Sequence, residues 1–587
     1  MFIKNMKFVK MGIIVSILAV LSIISVNCSR ESKTLAEIGN EKITLGEFEK
    51  QYIKTTGSLD SARIKPIEDK RKFLDLYINF RLKVKDARER GLLNNPDIQK
   101  DVEEYKRNYA PTYLIDKEIV EEQVRKLYER KKDEIRASHI LINLIEKPTP
   151  EDSIAAYQKA DSIIQKLKDG EDFGELALKY SNDRSVNMNR GDLYYFTAGM
   201  TVPEFEDAVY DMKVGEFSKK PIRTLYGLHI VKVTDRKPRI ESIRVSHILI
   251  ADKRDSLGNL IDSIETYNKA LEVFKRANSG ESFEALAEQL SEDVGTKSRG
   301  GDLGFLQRRQ LAQPIDSAAF SMKLGEIIGP IKTPYGWHII KKTDEKKYGS
   351  FEEEFEKIKN EYKKTKNYKD DYTKYVENLM AKFSFKILPE GLDFLKSKFD
   401  SLKTIADYNL DSLFNNQDKE FIIATFDGGS VKVIDIINHL NINRDFSRMT
   451  LLEQTLRMII SSSAENPVLN KMAQNKGIEK DDEFIANITD YENGLLVFKI
   501  DQEELWSKVK VTEQDIVSYY NNNKSKFTKI DSTGATVSEP LEEARPKVSN
   551  EIQQEKYKET ERVYLESLRQ KYPVKIYDAV LEESFKD

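Results

Sequence analysis

Two hydrophobic periods alternate along the chain. Ile135-Arg136-Ala137-Ser138-His139-Ile140-Leu141-Ile142 alternates its side-chain character as a strand does. Over residues 155–167 the apolar positions recur at helical spacing; Gly170 ends that run and a second short helix is predicted beyond it. A turn at Arg190-Gly191-Asp192-Leu193, a short helix over 204–210 and a strand over 227–234 complete the series. The same order then returns: strand over 243–250, helix over 267–276, glycine-rich turn at 300–304, short helix over 316–320 and strand over 336–343. Each series occupies about a hundred residues, an ordinary domain size, and predicts an α+β unit.

The two series also repeat residue by residue. Ile135 to Ile142 matches Ile243-Arg244-Val245-Ser246-His247-Ile248-Leu249-Ile250. Ser181-Asn182-Asp183 matches Ser291-Glu292-Asp293, and Arg190-Gly191-Asp192-Leu193 matches Gly300-Gly301-Asp302-Leu303. Thr224-Leu225-Tyr226-Gly227-Leu228-His229 closes the first copy and Thr333-Pro334-Tyr335-Gly336-Trp337-His338 the second. A weaker repeat frames them: a strand–turn–strand pattern at 36–44 returns at 424–432, and an amphipathic helix ending in a short strand at 351–387 returns at 541–576. The C-terminal third thus reads as a second copy of the N-terminal arm without the inserted domains, and residues 528–539 as a mere loop at the insertion point.

The arms themselves predict long helices with charged outer faces over 66–90, 95–129 (interrupted at Pro111) and 351–382. Tyr105, Tyr109, Tyr113, Phe355, Tyr362, Tyr368, Tyr372 and Tyr375 recur within them. Helix–helix packing is the expected use of each ring; contact with unfolded chains is the alternative.

At the N-terminus, Lys4, Lys7 and Lys10 precede an apolar run over 11–26, short for a spanning helix and fitting a signal segment. The run ends at Ser25-Val26-Asn27-Cys28, and Cys28 is the sole cysteine. A lone thiol there resembles a bacterial lipobox, with Cys28 as the lipidation site, although Asn27 departs from the small residue usual before it. A plain secretory signal is the alternative. Internal disulfides are excluded. Composition adds that the net charge is -4 over 587 residues, which gives no basic excess for a nucleic-acid partner.

On these motifs the chain resembles the parvulin (rotamase) family of peptidyl-prolyl cis/trans isomerases, on a plan similar to the SurA-type and PpiD-type periplasmic chaperones. Four of the five histidines (His139, His229, His247 and His338) fall at the family's paired positions. The resemblance implies an α+β fold: two parvulin domains, each a small antiparallel sheet flanked by helices, joined to helix-rich chaperone arms. The expected segments are a lipoprotein signal (1–28), an N-terminal helical arm (29–134), two parvulin domains (135–238 and 239–347), a helical connector (348–400) and a C-terminal arm (401–587). It also implies catalytic roles for His139, Asp183, Thr224, Tyr226 and His229 in the first domain, and for His247, Asp293, Thr333, Tyr335 and His338 in the second. Phe205 with Met200 and Thr201, and Leu311 with Ile315, become the proline-pocket positions. The first copy departs from the pattern at Thr201 and Tyr194; the second has no aromatic wall. The paired histidines could equally be a buried structural network. Metal and cofactor are not called for. The implied partners are unfolded or proline-containing polypeptides, outer-membrane or secreted, met in the periplasm by a protein lipid-anchored to a bacterial membrane. A holdase whose parvulin domains only bind peptide is the alternative.

Overall fold

The computed structural model describes residues 30–254, 260–261, 263–530 and 534–586. The signal-like run and Cys28 lie outside the described residues. The chain divides into two compact units, Glu118–Asp370 and the described parts of Met1–Lys117 with Asp371–Asp587. The architecture is α+β.

Within Glu118–Asp370 each sequence repeat becomes a four-stranded antiparallel sheet. In the first, the strand order is Asp192–Phe196, Asp133–Asn143, Gly227–Pro238, Ile222–Thr224. In the second it is Asp302–Leu306, Ile240–Ala251, Gly336–Lys347, Ile327–Thr333. Alternation along the central strands sends side chains to two different cores. Ile140, Ile142, Leu228 and Ile230 face helices Pro150–Lys168 and Phe173–Tyr180. Ile135, Ala137, Val231 and Val233 face the short helix Pro203–Asp211. The second domain repeats this with Ile248, Ile250 and Ile339 on one side and Ile243, Val245 and Ile340 on the other. Thr149 caps the first long helix by accepting from the Asp152 N–H, and Asp172 caps the next by accepting from Glu175 N–H. Arg239 alone separates the last strand of the first domain from the first strand of the second.

The second unit contains two small three-stranded sheets of the same design. The hairpin Thr34–Ile38/Glu41–Thr44 takes its third strand from Val574–Ile576, with Ala36 opposite Ile576 and Ile38 opposite Val574. The hairpin Ile422–Phe426/Gly429–Lys432 takes Lys386–Ile387, with Ile387 opposite Ala424. Each copy of the arm motif therefore completes its sheet with the strand that ends the other copy. Helices Ile67–Glu89, Asp482–Ile500 and Leu541–Lys571 pack around buried charges. Lys83 Nζ donates to Asp501 and Glu561, each at 2.7 Å, and Asp86 accepts from Tyr564 Oη at 2.7 Å and Lys571 Nζ at 3.0 Å.

Three expectations change. Pro111 does not interrupt its helix: Pro96–Ile115 runs through it, held by the packing of Tyr105 and Tyr109 despite the lost backbone bond, and the irregularity comes later as a π-helical turn at Asp116–Val120. The predicted helix over 351–382 is two, Phe351–Tyr362 and Lys366–Lys382, with Thr365 accepting from the Tyr368 N–H at the restart. Residues 528–539 are not merely a loop: Thr528–Ile530 and Thr536–Ser538, rich in β-branched residues, pair as a short antiparallel hairpin. The tyrosines near residue 109 serve packing. Tyr105 stacks on Tyr491 at 3.9 Å between centroids, Tyr109 on Phe484 at 5.5 Å, and Tyr113 donates to Asp481.

Candidate functional site

Register decides the geometry. His139 lies opposite Val231 and His229 opposite Leu141, so the two imidazoles are diagonal neighbours on one face of the central strand pair. Their Nδ1 atoms are 3.2 Å apart. His139 Nε2 lies 2.6 Å from Asp183 Oδ2, and His229 Nε2 lies 2.8 Å from Thr224 Oγ1. Thr224 Oγ1 also accepts from the Tyr226 N–H at 3.1 Å. Phe205, buried on the short helix, sets its ring edge-on to both imidazoles, with centroids 6.1 Å from His139 and 5.4 Å from His229.

The proton positions follow from the donors that are certain. Asp183 is acidified: burial opposes ionisation, but the Ser185 N–H and Oγ–H, together with His139, hold the carboxyl below its ordinary range. An ionised Asp183 requires a proton on His139 Nε2. In the tautomer where His139 Nδ1 accepts, His229 Nδ1–H donates to it and His229 Nε2 accepts from the Thr224 hydroxyl. Every link runs one way, from Tyr226 N–H to Asp183. Burial, and secondarily the neighbouring imidazole of His139, pushes the His229 pKa down to about 4.

The second domain rebuilds the same chain. His247 and His338 approach through Nδ1 at 3.2 Å; His338 Nε2 meets Thr333 Oγ1 at 2.9 Å, which accepts from the Tyr335 N–H at 3.2 Å. His247 Nε2 meets Asp293 Oδ2 at 2.8 Å. Burial and the adjacent His247 push His338 down to about 4. Burial opposes ionisation of Asp293, yet Thr296, His247 and the Gly295 N–H hold it low.

The predicted residues thus divide. The structure brings His139, Asp183, Thr224, His229 and Phe205 together, and likewise His247, Asp293, Thr333 and His338. Tyr226 and Tyr335 join through their backbone N–H only, their rings being 58% and 72% exposed. Met200 stands exposed at the rim, and the Thr201 hydroxyl is buried without a hydrogen-bond partner. Ile315 is buried and Leu311 packs against the same core, in the place where the first domain has its aromatic wall. Asp192 and Asp302 fix turns, accepting from the Tyr194 and Gly304 N–H groups at 2.9 Å while pairing with Arg136 and Arg244. Ser185 and Thr296, which orient the two aspartates, were not singled out in the sequence. No periodic pattern marks them, and each becomes visible only beside the aspartate it orients. Ser181 and Ser291 were visible only as repeat residues. Their hydroxyls accept from Leu141 and Leu249 N–H groups at 3.0 and 3.2 Å, tying each aspartate loop to its central strand.

Parts of the chain are similar in sequence to known proteins. Residues 123–237 and residues 247–344 each match the PPIC-type PPIASE domain family. The chaperone SurA of Nitrosococcus oceani is 32% identical over 221 residues, 37% of this chain and 50% of that protein. The foldase protein PrsA of Oceanobacillus iheyensis is 40% identical over 163 residues, 28% of this chain and 50% of that protein. The peptidylprolyl isomerase PrsA of Bacillus anthracis, known as a crystal structure, is 32% identical, covering 23% of this chain and 52% of that one with a TM-score of 0.17. The chain spans about half the length of the curated relatives it matches. Residues 123–237 and 247–344 are thus two tandem domains of the parvulin (PPIC-type) peptidyl-prolyl isomerase family.

Proposed function

We propose that the protein is a peptidyl-prolyl cis/trans isomerase and folding chaperone for exported polypeptides. The observation that carries this is the hydrogen-bonded chain Thr–His–His–Asp, present in both domains, with the Phe205 ring set edge-on to the imidazoles in the first. Rotation about an X-Pro bond meets a barrier of about 18–20 kcal/mol because the amide is conjugated. Lowering it needs no covalent step. It needs a site that fits the twisted amide, whose carbonyl and nitrogen have lost their conjugation, better than it fits either planar isomer. In this reading Phe205 and Met200 hold the proline ring in the first domain, and Leu311 and Ile315 do so in the second. The hydrogen-bonded imidazole pair forms a floor whose dipoles are fixed before substrate arrives, so no reorganisation accompanies the twist. Asp183 and Asp293 lie beside the turning carbonyl.

The decisive experiment is a protease-coupled proline-peptide assay on the full chain. With His229→Ala and His338→Ala combined, kcat/KM falls at least about a hundred-fold. Undiminished turnover in that variant would end the proposal, and protection of clients by a wild-type chain with no turnover would replace it by the holdase reading. The apolar run over residues 11–26 ahead of Cys28 supports export and a lipid anchor, which mass spectrometry of the mature N-terminus tests. Clients of the outer membrane fit that location.

A further inference from the structure

The two domains contain three backbone positions that are left-handed in both copies and glycine in only one of them, among the described residues. Gly304 (φ +74°) corresponds to Tyr194 (φ +62°), Gly199 (φ +89°) to Arg309 (φ +68°), and Gly300 (φ +64°) to Arg190 (φ +54°). A Cβ at Gly304 would meet nothing within 4 Å, and at Gly199 only the end of Lys131 at 3.8 Å. These two glycines are therefore required by conformation and not by space, and a side chain there is strained. Strain of this kind persists where the surroundings hold it for a purpose.

Arg190 keeps its guanidinium in its own domain, on Glu175. The other two reach across. Arg309 Nη2 donates to Leu193 O at 2.7 Å and its Nε to Tyr195 O at 3.1 Å, the carbonyls on either side of Tyr194 on the first domain's edge strand. Tyr194 Oη donates to Asp316 Oδ2 at 3.0 Å and accepts from Arg308 Nη1 at 2.9 Å. Arg308 forks onto Glu134, Nε to Oε1 at 3.1 Å and Nη2 to Oε2 at 2.8 Å, and lies over the Phe320 ring at 4.0 Å. The Glu134, Arg308 and Asp316 side chains are 3%, 9% and 1% exposed. Asp316 Oδ1 still accepts the Arg309 N–H at 2.7 Å, as Glu206 accepts the Gly199 N–H at 2.6 Å in the first copy. The inherited turn is intact, and the added groups serve the neighbouring domain. A buried, fully partnered ionic network contributes little net stability, but it admits only one arrangement of its members.

We propose that Tyr194, Arg308 and Arg309 form a latch by which the first domain's edge strand positions the second domain's proline pocket. The latched segment, residues 307–312, carries Leu311 and leads into Ile315. A cleft of about 390 Å³ opens beside it, lined from both sides by Leu193, Tyr194, Arg309, Leu311 and Gln313. A peptide seated at Leu311 therefore meets the first domain as well. Tyr194 and Arg309 are positioning residues, and the second site depends on the first domain for its shape. The role of the pocket rests on the isomerase reading; the latch does not.

The internal repeat supplies the test variant. Tyr194→Gly with Arg309→Gly puts at each position the residue that the other copy already carries. Spin labels at Ile154 and Leu324, in a full chain with Cys28→Ser, report the interdomain distance. The wild type gives one narrow distribution. The double variant broadens it and raises hydrogen exchange over residues 306–312 at least ten-fold, while strands Gly227–Pro238 and Gly336–Lys347 stay protected. In a background with the first site disabled by His229→Ala, the same two substitutions raise KM for a proline peptide about five-fold and leave kcat within two-fold. An unchanged distance distribution and unchanged exchange overturn the latch. Loss of protection in the central strands overturns it too, by showing that the two residues serve folding. Absence of turnover in every chain would fault the isomerase reading while the distance measurement still judged the latch.

Discussion

Lowering the pH from 7 to 5 should loosen both domains by the same mechanism and nearly the same amount. His229 and His338 move from an ordinary value of 6.5 to about 4, because burial, and then the facing imidazole, disfavour their charged forms. The unfolded chain then binds the proton more readily than the folded one. The stabilisation is complete above 6.5 and is lost as pH falls toward 4. At pH 5 the unfolded histidine is almost fully protonated and the folded one barely so, which costs about 2 kcal/mol per domain. Asp183 and Asp293 are also shifted, downward, and their contribution is lost only below the ordinary carboxylate range of 3.8, outside this window. Native-state hydrogen exchange of strands Gly227–Pro238 and Gly336–Lys347, corrected for intrinsic rates, reads the opening free energy of each domain separately. A cost of 2 kcal/mol is about a thirty-fold loss of protection. His229→Asn retains an N–H for His139 and removes the titration, so it should abolish the effect in the first domain and spare the second. Equal protection at the two pH values, or a loss that survives His229→Asn, refutes the proton assignment.

Other outcomes follow from single contacts. Gly227→Ala would put a Cβ 2.2 Å from Ile142 O at φ +144°, so it should destabilise the first domain by at least about 2 kcal/mol in urea unfolding. Thr224→Val leaves His229 Nε2 buried without its donor and should cost about 1–3 kcal/mol, with the matching loss from Thr333→Val confined to the second domain. Lys83→Met removes the cation that Asp501 and Glu561 share and should destabilise the arm unit by about 3 kcal/mol, read by thermal unfolding. Phe205→Leu should raise KM for proline peptides at the first site more than it lowers kcat, as expected of a wall that holds the ring in every state.

The sites were legible because repetition isolated them. Four of five histidines recur at matching offsets and Ser-x-Asp recurs in both copies, while the expectation that these residues meet came from the resemblance to the parvulin family. What the sequence hid was of two kinds. Side chains that act through a turn, such as Ser185 and Thr296, carry no periodic signal and emerge only when the aspartate they orient is seen. Contacts between distant segments are equally silent. Tyr194 reads as a departure from a Gly-Asp-Leu-Gly pattern until Asp316 and Arg308 appear at its hydroxyl, and nothing near Arg309 announces a left-handed backbone. The helix at Pro111 was misjudged for a third reason: a missing donor weakens a helix, and packing of Tyr105, Tyr109 and Tyr113 on residues 482–500 outweighs that loss.

The exchange of closing strands between the two halves of the arm imposes an order on synthesis. The first hairpin to emerge, residues 34–44, has an open edge until residues 574–576 arrive to cover it. Joining such remote segments incurs a large loop-closure entropy, and until then that edge is a template for any extended strand nearby. A chain built this way carries an unpaired strand edge through most of its synthesis, and that edge is covered only once residues 574–576 have folded back onto it.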